Sequence, residues 1–244
     1  MGLDQIALIF LGALAGGLVN GLTGFGTGIT AMGIWLHVIP APIAASLVIV
    51  CSVVSQLQTL PMIWRAIAWR RVLPFVIPGL LGVPVGTWLL PMIDQASFKA
   101  GIGAFLVAYP SYALLRRPGP GSAIGGSAAD GTVGLCGGVL GGLAGLSGVL
   151  LVVWTDIRGW DKAQRRSVLQ AFNLTIVVAA LVSHAASGLL TGPVGLATLA
   201  ALPGTIGGAW IGTRIYRRLG DRQFQQVVMG LLLVSGLTLI WSSL

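Results

Sequence analysis

The sequence predicts an all-α polytopic membrane protein of two inverted repeats, each one re-entrant or broken helix pair plus three transmembrane helices. Three observations predict it. Hydrophobic residues make up 55% of the chain, charged residues only 8%, and glutamate is absent. An ordinary globular domain is roughly a quarter charged, and so few charges could not cover a soluble surface. Apolar runs of about twenty residues, the length that crosses a hydrocarbon core of about 30 Å, recur from end to end. Finally, the chain contains its own copy: "GGLVNGLTGFG" at 16–26 returns as "GGVLGGLAGLS" at 137–147, an offset of 121 residues.

The N-terminal repeat is expected over 1–117. Its first segment, about 6–38, is interrupted by glycines, and continuous apolar runs follow at about 43–64, 72–91 and 97–115. The start, Met1-Gly2-Leu3-Asp4-Gln5, lacks a basic n-region and is not read as a cleaved signal peptide. Residues 118–130, in the stretch "RRPGPGSAIGGSAAD", read as a Pro/Gly/Ser linker. The C-terminal repeat, 131–244, follows the same plan, with an interrupted segment at about 131–155 and runs at about 166–189, 193–213 and 223–242. Further matches keep the same order. "PGLLG" at 78–82 pairs with "PGTIG" at 203–207, Gly86-Thr87 with Gly212-Thr213, and Asp94 and Phe98 with Asp221 and Phe224, give or take a residue.

Gly26-Thr27-Gly28-Ile29-Thr30-Ala31 has the letters of a dinucleotide fingerprint but not its setting. No strand pattern surrounds it, and the next acid is Asp94, far beyond the roughly twenty residues that fingerprint requires.

Charge decides the expected topology. If the interrupted segments crossed the membrane, Arg65, Arg70, Arg71, Arg116 and Arg117 would face one side. Arg158, Lys162, Arg165 and Arg166 would face the other, against the positive-inside rule. If each interrupted segment dips in and returns, the clusters at 65–71, 116–117, 158–166 and 214–222 all become cytoplasmic, and only Lys99 lies outside. Three crossings per half is odd, so the repeats must be inverted and both termini extracytoplasmic. The two glycine tips then enter from opposite faces and can meet near the midplane, a recurring transporter plan. The formal charge of +8 is therefore an orientation signal in a multi-pass cell (inner) membrane protein, with no nucleic-acid partner.

A helix that starts inside the membrane leaves its first amides unpaired and favours an anion there. At the first tip the candidate solute-binding residues are Asn20, Gly21, Thr23, Gly24, Phe25, Gly26 and Thr27. At the second they are Gly142, Gly145, Leu146, Ser147 and Gly148. Ser52, Ser55, Gln56 and Thr59 form a polar stripe at i, i+3, i+4 and i+7, and Gln170, Asn173 and His184 form another. Ser52, Gln56 and Asn173 join the site set. Two alternatives stay open: small-residue helix packing for the glycines and plain interhelical hydrogen bonding for the stripes. With no lysine or arginine expected nearby, the anion would need several amide donors. His184 is the best intramembrane candidate for any proton coupling. Cys51 and Cys136 are read as buried thiols without metal-ligand spacing. No catalytic set, cofactor or metal is expected, and the chain is not read as an enzyme.

The paired glycine segments, with "APIAASLVI", "RRSVLQAFN", "PGLLGVPVGT" and "PGTIGGAWIGT", resemble the sulfite exporter TauE/SafE family over nearly the whole chain. The resemblance implies transport of sulfite or another sulfur oxyanion or organosulfonate. An anion channel, or a permease subunit needing a soluble partner, are the alternatives. The partners implied are a small anionic solute, the bilayer and, as an open option, a second copy of the chain. Ser147 stands opposite Gly26 and Ala144 opposite Thr23, so the two tips should not bind equally.

Overall fold

The computed structural model describes residues 2–62, 64, 67–92, 96, 103–104, 107–108, 111 and 126–241. Among the described residues the regular structure is helical, with no strand. The helices are α1 (Leu3–Thr23), α2 (Thr27–Trp35), α3 (Ala41–Thr59), α4 (Trp69–Leu89), α5 (Ser127–Ala144), α6 (Gly148–Ile157), α7 (Lys162–Ala186), α8 (Gly192–Tyr216) and α9 (Asp221–Trp241). Most of the expected run at 97–115 lies outside the described residues, as do Arg65, Asp94, Phe98, Lys99, Arg116 and Arg117. Helix α5 begins inside the stretch read as linker.

The local chemistry explains the helix ends. Pro40 precedes α3, and proline occupies its first turn, where the missing amide hydrogen costs nothing. Asp161 caps α7, its carboxylate accepting from the Gln164 amide at 2.8 Å. Gly145 ends α5 at φ 68°, its N–H donating to Gly141 O at 2.8 Å, the closure made by a single left-handed glycine. Pro74, Pro78, Pro84 and Pro203 lie inside α4 and α8, where neighbouring helices in a bilayer can tolerate them.

Among the described residues five helices are long and apolar enough to cross a membrane: Leu3–Thr23, Ala41–Thr59, Trp69–Met92, Ala163–Ala186 and Gly192–Tyr216. The first of these does not continue onward, because the chain turns back at Gly24. Helix α2 returns along α1: Trp35 Nε1 donates to Ile9 O at 3.0 Å, and Gln5 Nε2 donates to Val38 O at 2.8 Å near the starting end. Helices α5 and α6 form a second hairpin. Asp130 at its start pairs with Arg158 at its end at 2.8 Å and accepts from Trp154 Nε1 at 2.7 Å.

Each hairpin packs on the other half of the chain. Helix α1 runs parallel to α8, with Gly204, Gly208 and Gly212 against the carbonyls of Phe10, Leu14 and Leu18. Helix α5 runs parallel to α4, with Gly134, Gly138 and Gly142 against the carbonyls of Phe75, Gly79 and Val83. A methyl group at any of these glycines would land on a backbone oxygen. Only hydrogen fits, and the helices approach closely enough for Cα–H···O contact.

The described basic clusters gather at one end. The guanidinium groups of Arg71 and Arg158 lie 5.9 and 5.3 Å from the Trp160 ring centre, and that of Arg166 lies 3.8 Å from the Tyr216 ring centre. That end holds the start of α4, the end of α6, the start of α7 and the end of α8. Helix α1, parallel to α8, therefore enters from the far end, whereas α5, parallel to α4, enters from the basic end. Leu73, Ile77, Leu81 and Trp88 on α4 and Leu196, Leu199 and Trp210 on α8 are exposed, an apolar surface suited to lipid. Cys136 corrects the expectation of two buried thiols: Cys51 is buried, but Cys136 is exposed. Helix α5 turns its glycine edge to α4 and leaves Cys136 and Leu135 outward, so the apolar neighbourhood there is outer surface rather than core.

Candidate functional site

The two hairpin tips meet in the middle of the bundle. Gly24 and Gly26 hold φ 82° and 92°, left-handed values that glycine takes without strain, and they reverse the chain in three residues. A Cβ at Gly148 would lie 2.7 Å from Phe25 Cβ, and one at Gly28 would lie 3.0 Å from Leu146 Cδ2. Phe25 of the first tip thus seats on a glycine of the second, and Leu146 of the second on a glycine of the first. The supporting helices are exchanged in the same way: Gly24 abuts Gln170 of α7, and Gly145 abuts Val48 and Ile49 of α3.

Helix α7 touches both tips in order along its length. Arg166 Nη1 and Nη2 donate to Leu22 O at 2.6 Å and Gly21 O at 2.9 Å. One turn on, Gln170 packs against Gly24. Asn173 Oδ1 accepts from the Ser147 hydroxyl. Near the far end His184 Nε2 donates to Gly142 O at 2.8 Å, while its Nδ1 lies 3.0 Å from Ser46 Oγ. A carbonyl only accepts, so Nε2 carries the hydrogen. In the neutral ring Nδ1 then accepts from Ser46.

Arg166 corrects the expectation of a site with no cation. Its place in the sequence puts it in the basic cluster at 158–166, yet it is 0% exposed and lies under the first tip. Its Cγ is 3.7 Å from where a Gly24 Cβ would be, and its Nε has no hydrogen-bond partner among the described residues. Its two bonds neutralise the negative carbonyl end of α1. Its neighbour Arg165 instead pairs with Asp156 at 2.8 Å.

The unpaired amides lie later in each tip than the residues first expected to donate. Gly24 N–H goes to Asn20 O and Phe25 N–H to Thr23 Oγ1, while Gly145 and Leu146 donate back into α5. Among the described residues no partner takes the amides of Gly26, Thr27, Gly28 and Ile29, or those of Ser147 and Gly148. These are the first-turn amides that α2 and α6 cannot bond internally.

The remaining expected residues fall into groups. Asn20, Thr23, Thr27 and Gln56 converge on the first tip: Asn20 Nδ2 meets Thr27 Oγ1 at 2.8 Å, Thr23 Oγ1 bonds Phe25 O at 2.8 Å, and Gln56 Nε2 donates to Gly24 O at 2.8 Å. Ser52 is buried on α3, and Asn173 serves the second tip. Gly21 and Gly142 lie at the helix crossings, where a Cβ would strike Ala209 O and Val83 O, so packing accounts for both. The Ser147 hydroxyl, expected to face the solute, is engaged by Asn173. Sequence reasoning missed Arg166, although it stands four and seven residues before Gln170 and Asn173, on their face of the helix.

The sequence model of the family described as Sulfite exporter TauE/SafE matches residues 8–239 of this chain. A protein of Cupriavidus necator described as "Probable sulfite/organosulfonate exporter TauE" is 26% identical over 232 residues, covering 93% of this chain and 90% of its own. No solved structure matches.

Proposed function

The chain belongs to the sulfite exporter TauE/SafE family, and from that premise we propose that it carries small anions across the membrane. The solute class is sulfite or another sulfur oxyanion or organosulfonate, as in the printed name of the relative above. The two hairpins are re-entrant segments of inverted repeats, their tips meet at the midplane, and access alternates between the two faces. Two hairpins entering from opposite ends and packing reciprocally support that topology.

The observation that carries the site is Arg166. A fully buried guanidinium lies against a tip whose next four amides have no partner among the described residues. A positive charge in a dry interior is stabilised by an anion, and free first-turn amides supply the oriented donors. Gln56, Asn20 and Thr27 would orient the bound solute, with Ser147, Gly148 and Asn173 on the second side.

Titration of purified protein with sulfite, thiosulfate, sulfoacetate, taurine and sulfate tests this. At least one sulfur anion should bind, and R166Q should weaken it about ten- to a hundredfold, one charge-assisted bond's worth. R166K, which keeps the charge, should lose less. No binding by any of the five, or equal binding by folded R166Q protein, would contradict the assignment.

A further inference from the structure

Gln56 and Gln170 flank Gly24 from α3 and α7, and both are 0% exposed. The hydrogen-bond chain fixes how each carboxamide points. Gln56 Nε2 donates to the Gly24 carbonyl, which can only accept, so its Oε1 points elsewhere. Gln170 Nε2 lies 2.7 Å from Thr59 Oγ1, whose own hydrogen goes to Ser55 O at 2.9 Å. The Thr59 oxygen is therefore the acceptor, and Gln170 Oε1 is the free end. Neither Gln56 Oε1 nor Gln170 Oε1 has a hydrogen-bond partner among the described residues. Asn20 Oδ1 at the same tip is likewise without a partner among the described residues. Three buried acceptors thus flank the first tip beside its amide donors, Gln170 Oε1 lying 3.6 Å from where a Gly24 Cβ would be. An oxyanion stripped of hydrogen satisfies the donors and repels the acceptors. Leaving buried acceptors unpaired is costly.

We infer that the first tip selects a solute bringing its own hydroxyl, a singly charged oxyanion or sulfonate that keeps one O–H to donate to Gln56 Oε1 or Gln170 Oε1. This rests on the reading of the tips as the anion site. A sodium ion or an ammonium group could also meet two amide oxygens, but Arg166 lies against the same glycine and opposes a second positive charge. A neutral hydroxyl carries no such conflict. A site built to bond a hydroxyl rejects the analogue that lacks it, because its own polar groups are then stranded.

Three sulfonates of equal heavy-atom chain length test this by titration calorimetry on purified protein: 2-hydroxyethanesulfonate, 1-propanesulfonate and 2-aminoethanesulfonate. The hydroxyl compound should bind at least about tenfold tighter than either other. The double variant Q56M/Q170M, which keeps both lengths but loses both acceptors, should bring its affinity to within about twofold of propanesulfonate. Wild-type affinities for hydroxyl and methyl compounds within about twofold would overturn the inference, buried water then being the acceptors' partner. So would tightest binding of the amino compound. If none of the three binds while sulfite does, the inference fails and the anion site stands. If sulfite, thiosulfate, sulfoacetate and sulfate fail as well, both fall.

Discussion

Arg166 and His184 occupy the two ends of one helix, and each clips the carbonyl end of a different hairpin. Their effects should differ. Arg166 touches the tip where donors are free, whereas His184 bonds a carbonyl one turn back from Gly145 and a hydroxyl of α3. H184A removes the shorter of two bonds to Gly142 O, leaving only the Thr87 hydroxyl at 3.5 Å, and should cost about 0.5–1.5 kcal/mol, read as a lower thermal midpoint in detergent. H184Q can still donate to that carbonyl and should cost less. If a proton gradient drives flux through this ring, H184Q also abolishes the gradient dependence, and unchanged dependence removes His184 from coupling. At this scale the sequence was informative about polar residues in apolar runs: Asn20, Gln56 and Asn173 all lie at the tips. It was less so for Arg166, because a charged residue next to a run of others looks like a topology signal. Only its spacing from Gln170 marks the inward face.

At the scale of elements the glycines divide into two kinds that read alike in the sequence. Gly24, Gly26 and Gly145 are required by positive φ. Gly138 and its neighbours are required by a backbone oxygen from the next helix. The repeat marks both because both recur at the same offset, and no local pattern separates a turn glycine from a crossing glycine. Contact geometry separates them, and it yields a paired prediction. G138A places a methyl on Gly79 O and should destabilise by about 1–3 kcal/mol, the usual cost of overpacking. G207A, where nothing lies within 4 Å, should be neutral or stabilise by up to about 1 kcal/mol through helix propensity. Thermal unfolding of the two variants side by side reads the difference. Equal midpoints would mean that the crossings relax more easily than their geometry implies.

For the whole molecule, composition and run length made the helical, membrane-spanning class legible, while charge and repeat parity supply only the topology proposed above. Arg71 and Arg158 meet at one end about the Trp160 ring. How the halves interlock was not legible, because α1 pairs with α8 and α5 with α4 across a large sequence separation and through glycines that carry no side-chain code. The proposed orientation predicts that cysteines at Asp4 and Ser243, in a background lacking Cys51 and Cys136, react with a membrane-impermeant label from outside the cell. Labelling of either only from the cytoplasm would reverse the orientation. In the proposed transport cycle the solute passes where the two tips touch. Phe25 and Gly148 are close enough for a pair of cysteines to be oxidised together, since a Cβ at Gly148 would lie 2.7 Å from Phe25 Cβ. In proteoliposomes carrying F25C and G148C in that cysteine-free background, oxidation should cross-link the tips. Flux of the best-binding organosulfonate should then fall at least about tenfold, about 1.4 kcal/mol, and return on reduction. Unchanged flux through fully cross-linked protein would contradict the account.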